Sequence, residues 1–179
     1  MCEVRVTTVR IETENGAAVM GKPVGNYITL EAPKMAEADE SYHREISGKL
    51  MEVLERCLPE KEDGQSILII GLGNRNVTPD ALGPLVVEHL DITRHLVKEY
   101  ALDGEADRLV SAVVPGVMGQ TGMETVEIVR GIVEETEPDF VIAIDALAAR
   151  SVRRLNRTIQ IADTGIAPGS GVGNHRNAI

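Results

Sequence analysis

The chain has few aromatic residues, few cysteines and an excess of acidic over basic side chains. Aromatic residues make up 2 % of its 179 residues and tryptophan is absent, so a hydrophobic core has to be built from Val, Ile, Leu, Ala and Met. The formal net charge is −10, whereas binding a phosphate backbone requires Lys and Arg. Direct binding to nucleic acid is therefore not expected, although a basic protein remains possible as a substrate.

Cysteine and long apolar runs are also scarce. Cys2 and Cys57 occur without a CxxC or a Cys/His zinc spacing, and isolated thiols of this kind are typical of the reducing cytoplasm. No apolar run reaches the roughly 18–20 residues that a membrane helix needs. The sequence thus indicates a cytoplasmic protein without membrane association.

The hydrophobic pattern indicates alternating strands and helices. Three continuous apolar runs are typical of strands buried on both faces of a parallel sheet: 66–72, 109–114 and 139–145. Helix spacing occurs at 39–57 and at about 121–136, where Thr121 and Glu124 match a capping box. This alternation predicts an α/β fold, a three-layer αβα domain with a mostly parallel sheet.

The N-terminal region, 1–38, is expected to form a β-hairpin excursion from a single domain that spans the whole chain. Alternating residues at 4–12 and 27–32 predict its two strands, and Asn15-Gly16 marks a turn. Residues 158–162 predict a final short strand.

Aspartates follow the predicted strands, where ligands bind in parallel α/β sheets. Asp145 comes directly after FVIAI, and desolvation there raises the pKa of a carboxyl group. Asp80 and Asp163 follow two other predicted strands. Two carboxylates brought close together can share a proton and activate water. An aspartate after a strand also often caps a helix, and Asp163 before Thr-Gly is typical of a turn. Asp139 precedes its strand and is expected to be structural, at the opposite edge.

Pro84 bears on where Asp80 lies. Proline suits the first turn of a helix, so a helix that starts near Pro84 with Gly83 as its N-cap leaves Asp80 in the preceding loop. Alternatively, Thr78 caps a helix that starts at Pro79, and Asp80 lies in its first turn. Both arrangements bring Asp80 near the crevice at the strand ends.

Four stretches together resemble those of the germination protease of spore-forming Firmicutes, an endopeptidase that degrades small acid-soluble spore proteins. They are Ile70–Pro84 (IGLGNRNVTPDALGP), Pro115–Gly122 (PGVMGQTG), Pro138–Arg150 (PDFVIAIDALAAR) and Ile159–Gly173 (IQIADTGIAPGSGVG). The resemblance implies that the two essential aspartates are Asp80 and Asp145. It also implies a fold similar to that of hydrogenase maturation proteases, a homotetramer, and a location in the forespore or spore core.

The resemblance favours an atypical aspartic mechanism without a cofactor. A divalent metal at Asp80 and Asp145 is the alternative, since hydrogenase maturation proteases bind a metal such as nickel at the matching strand ends. Weaker candidates for shaping a substrate crevice lie in the neighbouring loops: Gly73, Asn74, Gly116, Gly119 and Asp163. Arg150 is a candidate for tuning Asp145 by its charge.

Two departures from the family pattern concern length. Family members are made as zymogens with an N-terminal propeptide, and their chains continue beyond the equivalent of Ile179. This chain is therefore expected to be a fragment or a shortened relative, and an inactive oligomerisation or binding fragment is a further alternative. A nucleotide-binding module is disfavoured because GLGNRN lacks a third glycine, and a serine hydrolase because PGSG fails the GxSxG pattern.

Overall fold

The structure is a computed structural model that describes residues 4–37, 39–60, 64–100, 108–149 and 151–166. The strands in these ranges are β1 (Arg5–Ile11), β2 (Gly25–Glu31), β3 (Ser66–Gly71), β4 (Leu109–Val113), β5 (Phe140–Ile144) and β6 (Thr158–Ala162). The α-helices are α1 (Glu14–Met20), α2 (Glu40–Cys57), α3 (Leu82–Val87), α4 (Arg94–Tyr100), α5 (Met118–Thr121) and α6 (Thr125–Thr136). Single 3₁₀ turns lie at Thr78–Asp80 and Val152–Arg154.

The described residues fall into two compact units. The first takes its residues from 1–59 and 147–166, and the second from 60–146. The first unit contains an antiparallel sheet in the order β1-β2-β6, and the second contains a parallel sheet in the order β4-β3-β5. The predicted α/β fold class with a parallel sheet is confirmed. The expectation of one domain over the whole chain stays a prediction.

β3 is the central strand of the parallel sheet and carries its core. Four consecutive side chains of this strand are buried: Ile67, Leu68, Ile69 and Ile70. Consecutive burial requires cover on both faces, and this is why the run reads as continuously apolar rather than alternating. The predictions of strands at 66–72, 109–114 and 139–145 are confirmed.

The first unit packs α2 over its own core. Asp39 caps the helix because its carboxylate accepts a hydrogen bond of 3.0 Å from the Tyr42 backbone N–H. Tyr42, Ile46 and Val53 are the buried residues of its inner face. The helix predicted at 39–57 is therefore confirmed. No helix in the described part of the chain is both long and apolar enough to cross a membrane.

α6 begins later than predicted and uses a different cap. The helix starts at Thr125, and Glu124 and Glu127 form the capping box, with the Glu124 N–H donating to Glu127 Oε2 over 2.8 Å. The predicted pairing of Thr121 with Glu124 is wrong. Thr121 closes the short helix α5, and its hydroxyl donates to the Val117 carbonyl over 3.3 Å.

The N-terminal antiparallel pair is confirmed, but its connection differs from the prediction. β1 pairs with β2 from Arg5 opposite Glu31 to Ile11 opposite Gly25. The predicted turn at Asn15-Gly16 is wrong, since both residues lie in α1. The Thr13 hydroxyl accepts a hydrogen bond of 3.1 Å from the Gly16 N–H and starts the helix.

β6 does not extend the parallel sheet. It pairs antiparallel with β2, with Tyr27 opposite Ala162 and Glu31 opposite Thr158. A five-residue strand carries no pattern that specifies a partner some 130 residues earlier in the sequence, so the period of its side chains predicts the strand but not its sheet. The expectation that Asp163 follows a strand of the parallel sheet is therefore wrong.

Candidate active site

Asp80 and Asp145 lie at the same edge of the parallel sheet. Asp145 directly follows β5, and Asp80 ends the 3₁₀ turn after β3. The two strands are hydrogen-bonded neighbours whose last pair joins Gly71 to Ile144. The negative charge of Asp80 acts on Asp145 and contributes to raising its pKa. The structure thus brings together the two aspartates that the sequence singled out.

A close contact between two glycines fixes the helix α3 against the strand ends. A Cβ atom on Gly71 would lie 2.5 Å from the Gly83 carbonyl oxygen, and one on Gly83 would lie 2.5 Å from the Ile144 carbonyl oxygen. Real Cβ atoms do not approach this closely, so a side chain at either position would push the helix away. The Leu72 N–H also donates to the Ile144 carbonyl over 2.8 Å. Because Gly71 and Gly83 have no side chains, α3 packs closely against the strand ends, and the Asp80 segment lies beside the end of β5.

Asp80 closes a compact loop that begins at Asn74. The Asn74 N–H donates both to the Asp80 carbonyl oxygen over 3.0 Å and to its carboxylate Oδ2 over 2.9 Å. Within the loop, Val77 N–H donates to the Asn74 carbonyl over 3.0 Å and Asp80 N–H to the Val77 carbonyl over 2.8 Å. Gly73 has φ +113°, and a Cβ there would collide with the Asp80 carbonyl. Glycine at 73 is thus required for Asp80 to sit where it does.

The start of α3 lies between the two arrangements that the sequence left open. Thr78 and Pro79 begin a 3₁₀ turn rather than an α-helix, and α3 starts at Leu82 with Ala81 as its N-cap. The expected N-cap at Gly83 is therefore wrong. Pro84 lies in the first turn of α3, where the missing N–H has no helical partner to lose. Asp80 consequently stays outside the helix.

Asp145 is half-buried and its carboxyl group holds a proton more tightly than usual. Burial is the main cause that raises its pKa above 3.8, and the charge of Asp80 adds to the effect. The Ala146 N–H donates to Asp145 Oδ1 over 2.8 Å and opposes the shift. Two neighbouring carboxyl groups with one harder to ionise can hold one proton between them.

Among the described residues, each aspartate has one carboxylate oxygen that accepts no hydrogen bond. Asn74 N–H binds Oδ2 of Asp80, and Ala146 N–H binds Oδ1 of Asp145. No donor among the described residues reaches Asp80 Oδ1 or Asp145 Oδ2. The site therefore offers one oxygen from each carboxylate for a water molecule, a substrate group or a cation.

The loop after β4 is connected to Asn74 through Gln120. The Gln120 Nε2 group donates to Asn74 Oδ1 over 3.3 Å. Gly116 has φ +75°, and a Cβ at this position would lie 3.2 Å from Gln120 Oε1, whereas a Cβ on Gly119 would meet no atom within 4 Å. Gly73, Asn74 and Gly116 thus lie in one connected set of loops. The predicted part that these residues and Gly119 play in substrate binding stays a prediction.

Asp163 belongs to the other unit and its carboxylate is fully engaged. Its Oδ1 accepts a hydrogen bond of 2.8 Å from the Asn26 N–H, and its Oδ2 accepts one of 2.6 Å from the Asn26 side chain. These bonds lower its pKa. Asp163 locks the ends of β2 and β6 together, and its predicted contact with substrate stays a prediction. Arg150 lies outside the described residues.

A cation would find few ligands here beyond the two aspartates. Carboxylate oxygens suit hard divalent ions, and Asp80 with Asp145 would supply two of them. No cluster of three or more His, Cys, Asp or Glu side chains that could hold a metal occurs in the ranges that the structure covers. The two aspartates alone fit an ion that takes its remaining ligands from water or substrate.

Comparison with known proteins gives one consistent family. A family model described as germination protease matches residues 1–179. Germination proteases of Caldanaerobacter subterraneus and Bacillus subtilis are 51 % and 52 % identical to this chain, over 98 % and 97 % of its length. The chain belongs to the germination protease family. That of Clostridium perfringens is 47 % identical over 99 % of the chain. These matches cover 54 %, 48 % and 54 % of the relatives, so the chain spans about half of their length.

The resemblance to germination proteases is thereby confirmed, and it extends through both units. Sequence reasoning singled out both aspartates and named Gly73 and Asn74 beside Asp80, but it missed two contacts that hold this edge of the sheet together. The Gly71–Gly83 contact and the Gln120 bridge depend on how loops from different strands pack, and no local pattern specifies that. Gln120 lies inside the PGVMGQTG motif of the germination protease resemblance, and its position there was the only available signal.

Proposed function

We propose that this chain carries the catalytic pair of a germination-type endopeptidase, with Asp80 as the base and Asp145 as the acid. The observation that supports it most is the presence of two aspartates beyond the ends of neighbouring strands, each with one carboxylate oxygen that accepts no hydrogen bond from the described residues. Membership in a family of germination proteases supports peptide hydrolysis as the reaction. Both catalytic aspartates would then come from the second unit.

The unequal surroundings of the two carboxyl groups support this division of roles. Burial and the neighbouring charge raise the pKa of Asp145, which favours its protonated form. Asp80 Oδ2 accepts a hydrogen bond of 2.9 Å from the Asn74 N–H, which leaves Oδ1 as the oxygen that can take a proton from water. A water molecule between Asp80 Oδ1 and Asp145 Oδ2 would be oriented by both.

The reaction that follows is general acid–base hydrolysis. The water oxygen attacks the scissile carbonyl carbon while Asp80 takes a proton from that water. At the same time Asp145 gives its proton to the carbonyl oxygen of the substrate. The tetrahedral intermediate collapses when the C–N bond breaks, and the leaving amine takes up the proton that Asp80 holds. The hydroxyl proton of the intermediate returns to Asp145. Both carboxyl groups then have their starting charges.

The proposed substrates are small acid-soluble spore proteins, degraded during germination. This follows from the family resemblance, as do the proposed homotetramer and the location in the cytoplasm of the forespore or spore core. An acidic chain of net charge −10 is compatible with substrates that carry basic segments. Direct contact with DNA or with a membrane is not part of the proposal.

Cleavage of a small acid-soluble spore protein by the purified chain tests the proposal. We expect Asp80→Asn and Asp145→Asn each to lower kcat by about 1,000-fold or more, since members of a catalytic unit cannot replace one another. Asp91→Asn is the matched control because Asp91 is an exposed aspartate of the same unit. Its kcat should equal that of the unchanged chain. Either site variant retaining full activity would refute the assignment.

Chelation separates the two-carboxylate mechanism from the metal alternative. Full activity after dialysis against EDTA supports direct activation of water by the aspartates. Loss of activity that a divalent ion restores supports a metal-dependent hydrolase built on the same pair. Absence of cleavage by this chain, together with cleavage by a longer relative assayed in parallel, supports the binding-fragment alternative.

A further inference from the structure

A side-chain bridge links the loop after β4 to the loop that carries Asp80. Gln120, in α5, donates its Nε2–H to Asn74 Oδ1 over 3.3 Å. We propose that Gln120 is a positioning residue that holds Asp80 in place through Asn74. The inference rests on the proposed function for its catalytic meaning, but the mechanical coupling can be tested without any activity.

The direction of the bridge follows from the hydrogen bonds of Asn74. The Asn76 N–H lies 3.0 Å from one terminal atom of the Asn74 side chain, and a backbone N–H can only donate. That atom must therefore be the oxygen, Oδ1. Gln120 approaches the same oxygen, so it has to present its nitrogen. An amide at position 120 suits this acceptor, whereas a carboxylate would repel it.

Asn74 passes the restraint on to Asp80 through its backbone. The N–H of Asn74 contacts two atoms of Asp80, the carbonyl oxygen at 3.0 Å and the carboxylate Oδ2 at 2.9 Å. Turn bonds that run through Val77 close the same loop from the other side. A shift of Asn74 therefore moves the Asp80 carboxylate, while Gln120 itself makes no hydrogen bond to Asp80.

The backbone around Gln120 is shaped to leave room for the bridge. Gly116 adopts a positive φ of +75°, and a Cβ there would come within 3.2 Å of Gln120 Oε1. Gly122, also at positive φ (+73°), ends α5 directly after Thr121. Two left-handed glycines thus set the short segment that presents Gln120. Its exposed position lets a substrate crossing this loop reach the bridge.

Amide hydrogen exchange in the 179-residue chain tests the coupling directly. We compare Gln120→Leu and Gln120→Glu, which both lose the Nε2 donor, with Met118→Ala, which truncates another exposed side chain of α5. We expect exchange at Asn74, Val77 and Asp80 to speed up about 3- to 10-fold in both Gln120 variants, the range for losing one modest hydrogen bond. The Asp80 carboxyl-carbon NMR signal should move in these variants and stay fixed in Met118→Ala.

Steady-state kinetics on the same proteins assign the coupling to catalysis. A positioning role predicts a similar fall in kcat with KM unchanged. A rise in KM alone, with exchange unchanged, would make Gln120 a direct substrate contact and overturn the inference. Unchanged exchange in both Gln120 variants overturns it regardless of activity. If the unchanged chain cleaves nothing, the proposed function fails, and the exchange result still decides whether Gln120 restrains the Asp80 loop.

Discussion

The strand β5 has an aspartate at each end, and the two lie in opposite surroundings. Asp139, before the strand, is exposed, and its carboxylate accepts hydrogen bonds from Ser66 N–H at 2.6 Å and from the Ser66 hydroxyl at 2.9 Å. These bonds lower its pKa. Asp145, after the strand, is half-buried with one backbone donor, and its pKa is raised.

The difference separates a structural carboxylate from one kept available for chemistry. Asp139 ties the start of β5 to the start of β3, and one of its oxygens already accepts two hydrogen bonds from Ser66. Asp145 lies at the same sheet edge as Asp80, whose charge contributes to raising its pKa, and no described residue donates a hydrogen bond to its Oδ2. Folding alone gives no reason to bury a carboxylate near another, so the arrangement at the carboxyl edge has to be held in place by the rest of the unit.

The largest expected effect comes from breaking what holds that edge together. In Gly83→Ala, the new Cβ would meet the Ile144 carbonyl at 2.5 Å as well as the Leu72 backbone. Because backbone atoms cannot turn aside as a flexible side chain can, we expect the free energy of unfolding to fall by about 2–3 kcal/mol. Urea unfolding followed by circular dichroism measures this loss.

Gly131→Ala is the matched control for that substitution. Gly131 lies in α6, and a Cβ at this position meets no atom within 4 Å. Alanine in a helix interior is favoured over glycine, so this variant should gain about 0.5–1 kcal/mol. Equal stability changes in the two variants would mean that the contact of Gly83 with the strand ends is not tight.

Much of this edge could be predicted because its signals are local in sequence. Burial on both faces makes a strand continuously apolar, and an aspartate that ends such a run stands out. The strands that precede Asp80 and Asp145 therefore follow from the pattern alone. The helix α2 is predictable for the same reason, since its cap and its apolar face lie within one segment.

The predictions that were wrong or missing concern features that depend on contacts with distant parts of the chain. Asn15-Gly16 is a strong turn signal, yet a cap from Thr13 draws both residues into α1. The partner of β6 lies in β2, far away in sequence, so its short pattern fits either sheet. The bridge from Gln120 to Asn74 joins loops that follow different strands. Each of these outcomes depends on tertiary contacts that outweigh local preference.

The pH dependence of stability sharpens the comparison between the two ends of β5. The pKa of Asp145 is higher in the folded than in the unfolded chain, so its stabilising protonation is lost as the pH rises through the folded value. We expect Asp145→Asn to be more stable than the unchanged chain at pH 7. The advantage should vanish as the pH falls below the ordinary pKa of 3.8, where both states are protonated.

Asp139→Asn should show the opposite sign. Its folded pKa is lowered, so its stabilising contribution is present at neutral pH and is lost as the pH falls through the folded value. The variant is therefore expected to be less stable at pH 7 and to approach the unchanged chain in acid. Urea midpoints at pH 7, 5 and 3 measure both effects. Parallel profiles for the two variants would remove the distinction between the carboxylates.

The smallest effect tests whether any buried polar group without a partner marks a functional site. Tyr42 is 6 % exposed in the core of the first unit, and its hydroxyl has no hydrogen-bond partner among the described residues. Tyr42 packs with Val4, Ala32 and Ile46 in an apolar cluster, so we interpret its hydroxyl as a cost to stability without a function. Tyr42→Phe should raise the free energy of unfolding by up to about 1 kcal/mol in a urea titration.

Tyr27→Phe, which loses a hydroxyl that donates to the Pro23 carbonyl over 2.8 Å, is the control and should instead lower the free energy of unfolding slightly. If Tyr42→Phe loses as much stability as Tyr27→Phe, the buried hydroxyl has a hydrogen-bond partner. The carboxylate oxygens at the carboxyl edge would then be the clearer example of polar atoms without a partner among the described residues.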